Sequence, residues 1–224
     1  MNVRRCLAAL MAGAVLFVAC EDEEVVGGCD PGCPPAGKKC QPLTTRENVL
    51  NNLELSYAEQ KYSPYDELLD PNFTFFFSPG DVGGNIPGQW GRTDELRVAS
   101  MLFDKSLNDP SYPTCRSIRM DLKFESGVVW VDTIPPDFPT ETWYTAAVYY
   151  EFTFEMLPDM TYIAVPGSQA QFTVRNVGTE DAPQWRLVEW RDVAGDSLQR
   201  IATALVSTTA IANQTWGRIK SLYR

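Results

Sequence analysis

The chain has 224 residues, 44% of them hydrophobic and 21% charged, enough for one domain with a real core plus extensions. Its net charge of −10 repels phosphate backbones and sets nucleic acid aside as a partner. There is no histidine, which removes the usual general base near neutral pH and the commonest metal ligand.

Residues 1–19 read as an export signal. Arg4 and Arg5 precede an unbroken run of small and apolar residues from Leu7 to Ala19. That run makes ~20 Å of helix, too short for a ~30 Å hydrocarbon core, so removal is expected. Loss of its two arginines leaves 17 basic residues against 29 acidic ones, a charge of −12. The end of the run, Leu16-Phe17-Val18-Ala19-Cys20, resembles the lipobox of bacterial lipoproteins, with Phe17 where leucine is usual. The resemblance implies that Cys20 becomes the first mature residue and carries a diacylglyceryl thioether and an N-acyl chain, a stable membrane anchor. The alternative is a plain secretory signal with an incidental cysteine. Glu21-Asp22-Glu23-Glu24 reads as the solvated start of a tether, with a surface-export signal as the other reading. Glu21 is not the aspartate associated with inner-membrane retention, so the outer membrane, on its periplasmic or surface face, is the expected address.

Residues 20–43 have the Gly/Pro composition of a tether. Cys29, Cys33 and Cys40 lie in it, and Cys115 lies far away. An oxidising compartment permits two disulfides among these four, in three pairings. The pairing favoured here ties Cys40 or another tether cysteine to Cys115. A zinc site of the four thiolates is the rival, but its spacing is loose, and no metal or other cofactor is expected.

The globular domain occupies residues 44–224, including a C-terminal extension. Thr44-x-x-Glu47 fits a capping box for a helix to about Lys61, with Val49, Leu50, Leu53 and Tyr57 on its buried face. Ser63-Pro64 starts a short second helix, stopped by Asp70-Pro71. Phe73 to Phe77 is a first strand covered on both sides. Gly80 to Gly91, with Trp90, is a loop whose glycine spacing and lack of a P-loop lysine exclude a phosphate cradle. Thr93 caps a third helix over about 94–107, striped by Leu96, Ala99, Phe103 and Leu107. Ile118, Met120, Leu122 and Phe124 mark a half-exposed strand, continued past a bulge at Gly127 by Val128–Val131.

Trp143 to Met156 is the spine. Every even position from Tyr144 is apolar or aromatic, a period of two that predicts one buried and one wet face on a long, bent central strand. Arg119 and Lys123 are expected opposite Glu151 and Glu155 on the wet face. Strands follow around Ala170–Val174 and over Trp185–Asp192. Residues 197–211 read as helical or irregular, and Trp216–Lys220 as a short docked segment.

Tyr65 to Phe77, holding a D-P-x-F turn, then Trp90-x-x-x-x-Glu95-Leu96 and Trp185-x-x-x-x-Trp190-Arg191-Asp192, resemble the NTF2-like, or SnoaL-like, proteins over about residues 44–192. The resemblance implies an α+β cone: a curved antiparallel sheet wrapped around N-terminal helices, with an apolar pocket between. That family includes isomerases, cyclases, dehydratases and members that only bind or assemble, so fold does not give function. The expected function is a non-catalytic, lipid-anchored envelope protein, its pocket taking an apolar small molecule or its surface an envelope protein. The alternative is a histidine-free pocket enzyme of isomerase or dehydratase type. Trp90, Tyr150 and Trp190 are the candidate pocket walls. Asp132 and Asp192, at strand ends, are the candidate acids, since a desolvated aspartate can serve as a base. No residue carries a catalytic signature.

Overall fold

The computed structural model describes residues 40–124, 127–157, 160–193, 211–213 and 215–224, with backbone alone for 160–167 and 211–213. The expectations for residues 1–39, including Cys20, Cys29 and Cys33, and for 197–210 lie outside these.

Helices α1 (Arg46–Glu59) and α2 (Tyr62–Leu68) lead into strand β1 (Leu69–Phe76), then β2 (Gln89–Gly91), α3 (Arg92–Phe103), β3 (Cys115–Lys123), β4 (Val131–Thr133), β5 (Trp143–Met156), β6 (Met160–Asn176), β7 (Trp185–Val193), β8 (Ile211–Asn213) and a last helix, α4 (Trp216–Ser221). The sheet runs β2-β1-β7-β6-β5-β3, with β4 also on β5 and β8 on β6. All pairs are antiparallel except β1 with β7 and β6 with β8. The sheet curls around the helices, giving the expected α+β cone.

The spine behaves as its period of two demands. Ala146, Val148, Tyr150, Phe152, Phe154 and Met156 are buried, while Ala147, Tyr149 and Glu155 are exposed. Its register with β6 jumps between Tyr150–Ser168 and Phe152–Ala164. The extra residues include Pro166-Gly167, which a regular ladder would not accept, and such an irregularity bends long strands. Helix α1 buries Val49, Leu50, Leu53 and Tyr57 against that face.

Several local expectations are corrected. The cap of α1 is Thr45, whose hydroxyl accepts from Asn48 N at 3.2 Å. Glu47 is drawn away from any capping box by the Trp130 indole, which donates to it at 2.7 Å. Helix α1 ends at Gln60 in a left-handed conformation, φ 54°. The Gln60 amide offsets that strain by donating to the carbonyls of Leu102 and Cys115. Trp90 lies on a strand, since β2 pairs with β1. Gly91 therefore caps α3 without a side-chain bond, displacing Thr93. Helix α3 stops before Asp104, whose carboxylate takes the Ser106 N–H at 2.8 Å.

The phase break at Gly127 is larger than a bulge. Lys123 pairs with Tyr149 and Val131 with Thr145, so β3 and β4 share one edge of β5 across an excursion. Trp130 draws that excursion toward α1 through Glu47. The expected cross-strand ion pairs do not form: Arg119 faces Thr153, Asp121 faces Glu151, and Ser117 donates to Glu155 at 2.8 Å. The pairing of a tether cysteine with Cys115 is also wrong. Cys115 is a buried free thiol, whereas Cys40 is disulfide-bonded to a partner outside the described residues.

Candidate functional site

The inner face of the cone is where the candidate residues meet, and the chain's own C-terminus occupies it. Thr215 starts α4 by accepting from Arg218 N at 3.2 Å. Six residues cannot hold a helix alone, so packing must hold this one. Trp216, Ile219, Lys220 and Tyr223 are fully buried. The Trp216 ring stacks on Phe152 and Phe154, centroids 4.8 and 5.3 Å away, and meets Tyr57 edge-on at 5.6 Å. Gly217 is required by close approach, because a Cβ there would lie 2.8 Å from the Phe77 ring.

Glu95, on α3, is the polar centre. One oxygen accepts the Tyr65 hydroxyl, and Tyr57 donates in turn to Tyr65 at 3.2 Å. The other accepts the Trp90 indole at 2.9 Å and the Lys220 ammonium at 2.5 Å. Burial, then the Glu95 charge, raises both tyrosines well above the ordinary phenol value. The Lys220 nitrogen lies 3.5 Å from the centroid of Phe75, 4.7 Å from Trp190, 4.9 Å from Trp216 and 5.6 Å from Trp90. Burial pushes this lysine down to about 8, outweighing the attraction of Glu95 and Asp192.

Asp192, at the end of β7, accepts the Tyr150 hydroxyl at 2.7 Å and the Gly217 N–H at 3.3 Å. Burial lifts its carboxyl to about 6; those two bonds oppose the rise and the nearby Asp81 adds to it. Asp81 also meets Arg218 at 3.4 Å, tying α4 to the rim.

Four of the five pocket candidates thus converge: Trp90, Tyr150, Trp190 and Asp192. Asp132 does not. It lies exposed on β4, at the sheet edge, and cannot act in the cone. Sequence reasoning missed Glu95, Lys220, Tyr65 and Trp216 as parts of the site. An acid on the apolar side of a helix and a lysine between Trp216 and Tyr223 were the available signals. Each carboxylate oxygen of Glu95 and Asp192 already holds at least one donor. Among the described residues, no three His, Cys, Asp or Glu converge on a metal position. The indole N–H groups of Trp190 and Trp216 are buried without an acceptor among them.

No protein-family model matches the chain. No curated protein matches it either. Solved structures do. An NTF2-like protein of unknown function in nutrient uptake from Rhodospirillum rubrum is 12% identical, aligned over 67% of this chain and 98% of its own, with a TM-score of 0.42. An NTF2-like protein from Cytophaga hutchinsonii is 11% identical over 66% and 94%, TM-score 0.38. ActVI-ORFA from Streptomyces coelicolor is 12% identical over 66% and 92%, TM-score 0.37.

Proposed function

We propose that this is a lipid-anchored protein of the cell envelope, held at the outer membrane through Cys20, whose cone is filled from within and performs no catalysis. The anchor rests on the signal run, the lipobox-like Leu16–Cys20 and the Gly/Pro tether. One observation carries the non-catalytic reading: Trp216 and Lys220 of the chain itself fill the inner face of the cone, against Phe152, Phe154 and Glu95. A protein of this kind works through its surface, meeting an envelope partner at the end of a tether. The experiment is metabolic labelling with an alkyne fatty acid in a bacterial host. The native chain takes up label and sediments with membranes; Cys20→Ser abolishes both. Equal labelling of the variant would sink the anchor.

The second reading is the histidine-free pocket enzyme. Asp192, buried beside the Tyr150 hydroxyl and titrating at about 6, is the observation that favours it. It requires α4 to leave the cone. Turnover of a small hydrophobic carbonyl compound, lost in Asp192→Asn, would establish it.

A further inference from the structure

We propose that the cone contains a binding site for a primary organic ammonium group, and that Lys220 is the ligand the chain supplies to itself. This rests on the filled-cone reading. A helix that only plugged an apolar cavity would be better served by leucine or methionine, since a buried ion pair is seldom more stable than a hydrophobic replacement. Here the buried position carries a charge, and its surroundings fit that charge. Three of the four rings around the nitrogen belong to the cone and not to α4: Phe75 on β1, Trp90 on β2 and Trp190 on β7. Aromatic faces within about 6 Å attract a desolvated cation. Glu95 supplies the countercharge from α3, and its carboxylate is fixed by Tyr65 on one oxygen and Trp90 on the other. The third donor position is the one Lys220 fills, at 2.5 Å. The cage is therefore assembled by elements that do not include the lysine.

The geometry also selects the class of ligand. A guanidinium's planar fork spans both carboxylate oxygens, whereas the caged nitrogen meets one alone, shared with Trp90, and Tyr65 meets the other. A quaternary ammonium has no N–H to give the oxygen that Lys220 meets. An unbranched primary alkylammonium has both the donor and the slim apolar stem.

The test uses the full chain with Lys220→Ala. That substitution removes the atoms of n-propylammonium and leaves their space. Its thermal midpoint falls. Tens of millimolar n-propylammonium restores at least half of the loss, while 1-propanol and tetramethylammonium do not, and the wild-type midpoint is unmoved. Equal restoration by 1-propanol, or none by any of the three, overturns the site. If Lys220→Ala does not fold alone, recovery of folded protein on refolding is the readout. Recovery with n-propylammonium and not 1-propanol supports the site; recovery with neither overturns it. Saturable binding of n-propylammonium to the wild-type chain would keep the ammonium site and refute the filled cone, so the two failures are distinct.

Discussion

Lys220 and Glu95, 125 positions apart in the chain, are joined at 2.5 Å with essentially no solvent on either side chain. Breaking such a pair from one side leaves a buried charge without its partner, which costs about 3–5 kcal/mol. Lys220→Met should lose that much in urea unfolding, although methionine fills the space. Adding Glu95→Gln should then cost less than it does in the wild-type background, because the charge that suffered is gone. Additive losses would show that the two side chains act separately.

Trp216→Ala removes the ring stacked on Phe152 and Phe154 and should cost about 3–5 kcal/mol. The vacated cone should bind an apolar fluorescent probe that the wild type ignores. Gly217→Ala is a separate check on the close fit of α4 to Phe77, with an expected loss of about 1–3 kcal/mol from overpacking.

Two buried groups give stability a pH signature. Lys220 titrates at about 8 in the fold and at 10.5 ordinarily, so between these values the unfolded chain binds the extra proton. Its contribution grows as pH rises through that window and is lost as pH falls through about 8. Above pH 10 the raised tyrosines oppose it, because the unfolded chain then ionises them first. Asp192 has the opposite sense. Raised from 3.8 to about 6, it contributes fully below pH 3.8 and loses its contribution as pH rises through about 6. Urea unfolding across pH 4–10 should show the upper slope vanish in Lys220→Met and the lower slope vanish in Asp192→Asn.

Cys115 should behave as a lone, protected thiol. Burial pushes it up to about 12, so little thiolate exists at neutral pH. An aromatic disulfide reagent should fail to label it in the native protein and should label it on unfolding without reductant. In a non-reducing peptide map its peptide should run alone, and linkage to a tether cysteine would contradict the structure.

What the sequence made legible was the pattern that one element writes by itself. The even positions of β5 from Ala146 to Met156 and the Val49–Tyr57 stripe of α1 turned out buried, as their periods require, while Tyr144 at the start of the strand is only half-buried. Caps were legible only to within a residue or two, since Thr44 and Thr45 are both good caps and Trp130, far along the chain, decides what Glu47 does. The excursion between β3 and β4 was read as a bulge because Val128–Val131 is strand-like, and its pull toward α1 is tertiary. Asp132 and Asp192 look alike in sequence, each closing a strand. Only the sheet order, with β4 at the edge and β7 in the middle, separates them. Glu95 and Lys220 could not be paired before the fold brought α3 and α4 together.

The central claim is that the C-terminal helix occupies the cone, and proton NMR of the full chain tests it directly. The Trp216 indole should show strong nuclear Overhauser effects to the Phe152 and Phe154 rings, with resonances shifted by stacking. A narrow Trp216 signal at its free-peptide position, with no such effects, would put the helix outside the cone and contradict the account.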